Sequence, residues 1–390
     1  MPYPSIPESF RAMDVLRNAN LLEQMGKRIC HLEVGQPRYP MPPILLQELA
    51  SRQHDLDIHG YTSAWGRDEF KKAIGSLYQS EFGLDISHDK IAATTGSSAA
   101  FQMLFQWGAC LGKCLALTNP GYPAYRNIAQ AVGLSTTPIT LQEDQFELRL
   151  KEVEEAFSQQ PFDMLLVANP SNPTGGFTSY VEMKRISNFC ASHGILLISD
   201  EIYGSLVHDG QAFTLAGEGD HVVVVNSFSK SFGMPGWRIG WVLAPSFMLA
   251  SLEPFAQNFH ICPPTISQIA GELAVAHRDQ FAGLIGHMAR NREIMLRGLR
   301  ACPQIFLCPP SGAFYVYARL LDHPLANDSM ALSKALLEQV GVALTPGIDF
   351  DPIRGQQWFR MSYAGNINDV EEGVSLLTNW IDTASRENYF

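Results

Sequence analysis

Apolar and polar positions change their period twice along this chain. Over residues 43–52 and 68–82 the apolar positions recur at helical spacing, with Phe70, Ala73, Ile74 and Leu77 on one face of the second stretch. From residue 90 to about 245, short runs that are apolar at nearly every position predict strands at 91–94, 114–117, 164–168, 195–199, 222–226 and 239–243. Amphipathic stretches at 98–107, 124–132 and 180–192 lie between them and predict crossover helices. A strand apolar on both sides of its pleat is buried between two helix layers, so the pattern predicts an α/β fold with a mostly parallel sheet.

After Pro264 the pattern lengthens to helices at 267–277 and about 280–300, the second long enough to bridge two domains. A smaller α+β region follows, with strands near 313–318, 342–344 and 358–362 and helices near 331–339 and 370–383. Because the sheet begins only near residue 90, the N-terminal arm is expected to return and pack with this C-terminal region. The expected domains are therefore a large one at 39–291 and a small one built from 1–38 and 292–390.

Composition narrows the partners. The 390 residues are 46% hydrophobic and 17% charged, ordinary for a globular protein with a large core. A formal charge of −11 opposes nonspecific attraction to nucleic acid or an anionic membrane, so an anionic ligand needs a local cluster of donors. Seven cysteines without a C-x-x-C pair read as reduced thiols, and the opening residues show neither a basic nor an apolar leader region. These features set the expectation of a cytoplasmic protein, with no nucleic acid, membrane or metal partner. No G-x-G-x-x-G follows an expected strand and no G-x-x-x-x-G-K-[ST] occurs, which leaves dinucleotide and P-loop readings unsupported.

In an open parallel sheet, ligands sit beyond the carboxyl ends of the strands. Five such loops carry unusual residues. Ser97 and Ser98, after Gly96, open a helix whose free amides favour an anion, although serine there is also an ordinary cap. Tyr122 sits at a turn beside a helix start, where it can stack on a flat ring or simply pack. Asn172 lies in a rigid loop with two prolines and two glycines, as ligand donor or plain connection. Asp200 is a carboxylate at the end of an apolar strand, which asks for a cationic partner, a salt bridge or a helix to cap. Lys230 stands amid Ser, Phe and Gly directly after a buried strand. Desolvation and a nearby Arg238 would lower its pKa and make the amine a nucleophile and base, and Arg238 could itself fork onto a phosphate.

Taken in this order, Asn-Pro-Ser-Asn-Pro-Thr-Gly at 169–175, Asp-Glu-Ile-Tyr at 200–203 and Ser-Phe-Ser-Lys-Ser-Phe-Gly at 227–233 resemble the fold-type I pyridoxal-phosphate enzymes. Within them the chain is similar to the class I and II aminotransferases, the aspartate aminotransferase-like family, from Leu32 to Ser362. The resemblance implies a seven-stranded type of sheet and pyridoxal 5'-phosphate as cofactor. It implies Lys230 as the lysine that holds the cofactor as a Schiff base and then shuttles the proton. Asp200 would pair with the ring nitrogen, Asn172 and Tyr203 would bond the phenolate oxygen, and Tyr122 would stack on the ring. Ser97, Ser98, Ser227 and Arg238 would hold the phosphate, with Tyr61 reaching over from the second subunit of a homodimer. Arg360, helped by Gly35 and Asn172, would grip the α-carboxylate of the amino acid substrate.

The activity so implied is ping-pong transfer of an α-amino group from an amino acid to a 2-oxo acid. Carbon–sulfur β-lyases and cyclopropane-forming synthases of the same fold use the same residues and form the alternative reading. Tyr39, Trp65 and Phe314 are the candidate walls of the side-chain pocket. With no evident second cation, they favour a neutral or aromatic amino acid over a dicarboxylate. His260 could enter the pocket or simply pack, and Asp349 and Asp351 have no role from sequence.

Overall fold

The computed structural model describes residues 6–143 and 145–387. The arm holds α1 (Arg11–Gln24) and β1 (Cys30–His31), followed by α2 (Pro43–Ser51) and α3 (Asp68–Phe82). In α3 the residues Phe70, Ile74, Leu77 and Tyr78 are buried on one face, and Gly83 ends the helix in the left-handed conformation.

The large sheet follows as β2 (Ile91–Thr94), β3 (Cys114–Asn119), β4 (Ser135–Thr140), β5 (Met164–Ala168), β6 (Leu196–Asp200), β7 (Val222–Ser227) and β8 (Gly240–Leu243). Its order is β2-β8-β7-β6-β5-β3-β4, and β8 is the one strand antiparallel to its neighbours. Helices α4 (Gly96–Cys110), α5 (Pro123–Val132), α6 (Leu150–Gln159) and α7 (Tyr180–His193) connect the strands, and α8 (Ser246–Phe259) and α9 (Thr265–Ala276) follow them. The pleat explains the layers. Leu165, Leu197, Val222 and Val224 share a core with residues of α3, α7 and α9, while Leu166, Ile198, Val223 and Val225 pack with α4, α5 and α8. Both faces are therefore covered, as the unbroken apolar runs demand.

The chain closes with α10 (Ala282–Arg300), β9 (Ile305–Leu307), β10 (Tyr315–Leu320), α11 (Ser329–Val340), β11 (Val342–Ala343), β12 (Thr345–Pro346), β13 (Phe359–Ser362) and α12 (Ile367–Glu387). Strands β12, β13, β10 and β9 form a second sheet in that order, and β11 pairs parallel with β1. That pairing ties the arm to the C-terminal region: Cys30 opposes Val342 and His31 opposes Ala343.

Several elements depart from the sequence reading. The edge strand β4, Ser-Thr-Thr-Pro-Ile-Thr, was not expected, because only its Thr137 and Ile139 point inward and a proline interrupts it; an edge strand tolerates both. Helices α1, α6 and α8 and the short strand β9 were also not foreseen. Helix α10 starts later than expected, after a single 3-10 turn at Arg278–Phe281. Among the described residues no helix is long and apolar enough to cross a membrane.

Candidate active site

Two strands of the large sheet, β5 and β6, end level, and β7 runs two residues further. Ala168 of β5 lies opposite Asp200 of β6, which lies opposite Val225 of β7. Their loops therefore emerge side by side, and with the starts of α4 and α5 they enclose a cavity of about 260 Å³. Ser97, Ser98, Tyr122, Asn172, Asp200, Tyr203, Lys230, Arg238, Gly35 and Arg360 all line it.

Lys230 is half-buried, and its Nζ donates to the Gly35 carbonyl at 2.7 Å and lies 5.7 Å from the centre of the Phe314 ring. Burial, then the cations Arg360 and Arg238, lower its ammonium to about 8. Gly35 must be glycine for this contact: a Cβ there would fall 1.9 Å from the Tyr315 hydroxyl. Asp200 is buried, accepting from the Ile202 amide at 3.0 Å and from the Tyr125 hydroxyl in a short bond. Burial raises its carboxyl to about 6, against the pull of those two donors and of Lys230.

Arg360, on β13, is 2% exposed. It donates to Asn172 Oδ1 at 2.9 Å, to Thr345 Oγ1 at 3.3 Å and to the Glu33 carbonyl, leaving its Nε without a partner. The guanidinium lies 4.4 Å from the Tyr315 ring centre and 4.7 Å from that of Phe350. Tyr203 meets Tyr315 hydroxyl to hydroxyl at 2.8 Å. Tyr122 stands edge-on to Tyr125 at 5.3 Å and to Phe10 at 5.8 Å.

At the other end, α4 begins with no side-chain cap on its first amides, since Thr95 makes none. That leaves Ser97, Ser98 and the helix start as unused donors next to Arg238, the arrangement that suits a phosphate. Gly96 has φ +74°, and a Cβ on it would meet Arg238 Nη2 at 2.5 Å, so the arginine can cross the helix start only above glycine.

Some sequence candidates sit elsewhere. Ser227 is buried, with its hydroxyl accepting from the Ser229 amide at 3.1 Å; it borders the neighbouring cavity with Trp241, and Ser229 lines this one. Tyr61 is 83% exposed and is not part of the lining. The three expected pocket walls need correction. Tyr39 packs on His287 at 5.9 Å, Trp65 joins the cores around α4, and Phe314 is wholly buried behind Tyr203. None of the three lines the cavity, and His260 lies in a separate hollow with Thr95 and Gln102. The wall comes instead from Phe10, Ala12, Met13 and Val34 of the arm, with Ile202. No motif marked these arm residues. Tyr125 and Tyr315 were missed too, although the first stood in a loop already singled out.

Asp349 and Asp351 gain structural roles. Asp349 accepts from the Arg11 and Ala12 amides at 3.2 and 3.3 Å. Asp351 accepts from Asn119 Nδ2 and Arg354 Nε, both at 2.9 Å.

The family model for aminotransferase class I and II matches residues 27–377. A valine–pyruvate aminotransferase of Mycobacterium tuberculosis is 36% identical over 377 residues, covering 95% of this chain and 96% of its own. A (5-formylfuran-3-yl)methyl phosphate transaminase of Methanocaldococcus jannaschii is 29% identical over 96% of this chain and 97% of its own. Among solved structures, an aminotransferase from Mycobacterium tuberculosis superposes with a TM-score of 0.90 at 35% identity, covering 96% of this chain and 97% of that one. The aspartate aminotransferase of Thermus thermophilus with maleate reaches 0.87 at 26% identity over 96% and 97%.

Proposed function

The chain belongs to the class I and II aminotransferases, and from that premise we propose how its own residues divide the work of moving an amino group between an amino acid and a 2-oxo acid. The family generally uses pyridoxal phosphate, and the donor set here fits that group. A buried carboxylate and a half-buried lysine share one cavity, and an uncapped helix start with an arginine closes its far end. When bound, pyridoxal phosphate supplies an electron sink for the pair left at the substrate Cα.

The observation that carries the reading is Lys230 and Asp200 facing one cavity with Arg360 on its wall. Lys230, lowered to about 8, is poised near neutrality to hold the cofactor and then to take and return the Cα proton. Asp200 holds the proton on the ring nitrogen, and Tyr125 keeps its carboxylate oriented. Asn172 and Tyr203 donate to the phenolate oxygen, and Tyr122 covers the ring. Ser97, Ser98 and Arg238 grip the phosphate, with Ser227 supporting them through the Ser229 amide. Arg360 fixes the α-carboxylate, with Gly35 and Asn172 as neighbours, so that the Cα–H bond faces Lys230. Such a cycle runs ping-pong, one 2-oxo acid leaving before the next enters.

We also assign the exposed Tyr61 to the phosphate of a second copy, making the enzyme a homodimer, and divide the chain into a large domain at 39–291 and a small one at 1–38 and 292–390. The wall of Phe10, Met13, Val34 and Ile202 offers no second cation for a side-chain carboxylate. A neutral amino acid is the donor we assign, in line with the name of the valine–pyruvate relative.

The test is turnover of purified, cofactor-loaded protein with valine and pyruvate. Alanine and the oxo acid of valine should appear in equal amounts. Release of only pyruvate, ammonia and thiol from a thioether amino acid, with no new amino acid, would overturn the reading. Borohydride treatment should add covalent mass to the peptide bearing Lys230, and Lys230→Ala should abolish both that mass and turnover.

A further inference from the structure

Helix α1 starts without a cap of its own, since the Phe10 side chain makes none. Its cap comes from the far end of the chain. Asp349, 4% exposed, spreads its two carboxylate oxygens over the Arg11 amide at 3.2 Å and the Ala12 amide at 3.3 Å. A carboxylate at a helix start satisfies free amides and meets the positive end of the helix dipole. Behind it, Arg126 of α5 donates to the Asp349 carbonyl at 3.1 Å and braces the backbone that presents the acid.

The turn held in this way carries Phe10, Ala12 and Met13 into the cavity wall. Phe10 closes against Tyr122, and the next residue of the acid's own loop, Phe350, lies under the Arg360 guanidinium at 4.7 Å. One short loop therefore supports both the cation assigned to the α-carboxylate and the apolar surface that faces the rest of the substrate. We propose that Asp349 is a positioning residue for substrate selectivity, pinning the first turn of α1 as the apolar wall against which a neutral side chain longer than a methyl group packs. The inference rests on the assignment of Arg360 to the α-carboxylate.

The experiment compares cofactor-loaded wild type, Asp349→Ala and Asp349→Asn, with alanine and leucine as donors to one 2-oxo acid. Asparagine keeps one acceptor oxygen for one of the two amides and turns an NH2 toward the other, so it restores part of the cap, whereas alanine restores none. In Asp349→Ala the KM for leucine should rise about tenfold, with kcat within about twofold and the KM for alanine within about twofold, a change in keeping with loss of one cap. Asp349→Asn should give a leucine KM between those of wild type and Asp349→Ala. Amide exchange at residues 11–14 should quicken most in the alanine variant.

Equal rises for alanine and leucine, an unchanged leucine KM in Asp349→Ala, or an asparagine variant more impaired toward leucine than the alanine variant would each overturn the proposal. Should Asp349→Ala not accumulate as folded protein, Arg126→Ala must show the same leucine-selective loss at about threefold; its absence counts against the proposal equally. Arg360→Lys in parallel separates the two levels. If that variant leaves every amino acid KM unchanged, the site assignment itself fails; if it acts as assigned while leucine selectivity ignores position 349, only this inference falls.

Discussion

Arg360 donates from Nη1 to Asn172 Oδ1 at 2.9 Å, bringing a strand of the second sheet and a loop of the large sheet onto one guanidinium. The remaining bonds, to the Glu33 carbonyl and Thr345, fix its plane between Tyr315 and Phe350. Lysine carries the charge but neither the fork nor the flat face that those rings hold. Arg360→Lys should raise the KM for amino acid donors roughly 10- to 100-fold while the cofactor still binds, as loss of a charge-assisted bond predicts. Steady-state kinetics with a cofactor titration checks both halves.

Tyr125→Phe tests the short bond to Asp200. The Tyr125 hydroxyl is the strongest group pulling the Asp200 carboxyl back down from the rise that burial causes, so its removal moves that carboxyl above its present value of about 6. More of the acid is then protonated, and so unable to pair with a ring nitrogen, at mildly acid pH. The expected outcome is an acid limb of kcat/KM displaced to higher pH, with losses larger at pH 6 than at pH 8. A pH–rate profile identical to wild type would remove Tyr125 from the site.

What the sequence made legible follows from where the chemistry sits. Asn172, Asp200, Tyr203, Lys230 and Arg238 stand at or after the ends of buried strands, where each also had a plain structural reading, and the three motifs that resemble the family decided between the two. The adjacent carboxyl ends of β5, β6 and β7 then bring them together. The substrate wall was misplaced for the opposite reason. Phe10, Ala12 and Met13 act from a helix whose start is capped 338 positions away in the chain, and no local spacing encodes that partnership. Aromatic character alone pointed to Tyr39, Trp65 and Phe314, yet each satisfies a packing need elsewhere. Edge strand β4 escaped notice because only one side of it is buried.

Glu201, the neighbour of Asp200, makes a prediction about stability rather than turnover. It is 5% exposed and accepts from Ser199 Oγ at 3.0 Å and the Leu215 amide at 2.9 Å. Burial raises its carboxyl from 4.5 to about 7 in spite of those donors. The folded state thus binds this proton more tightly than the unfolded chain does. Its contribution is most favourable below pH 4.5 and is lost as the pH rises through about 7. Glu201→Gln keeps an acceptor for the same donors without the charge. Relative to wild type it should gain on the order of 3 kcal/mol between pH 4.5 and 8. Denaturant unfolding of both proteins across that range measures the difference, and a flat difference would refute the assignment.

Met13 tests where selectivity resides. It is half exposed, lines the cavity beside Ala12, and belongs to the turn that Asp349 caps. Arg11, two positions earlier, borders a separate groove with Asp14 and Met330, so its charge does not serve the cavity wall. A cation placed at position 13 would therefore be new to the site. Met13→Arg should raise kcat/KM for glutamate relative to valine about three- to fivefold, the size expected of a partly solvated ion pair. The gain should shrink at high salt, because an exposed pair is screened. The valine KM should rise as well, since the thioether that packs against its methyl groups is gone. A ratio that does not move would show that the substrate side chain points away from α1, and the apolar wall would then have to be sought on the far side of Arg360.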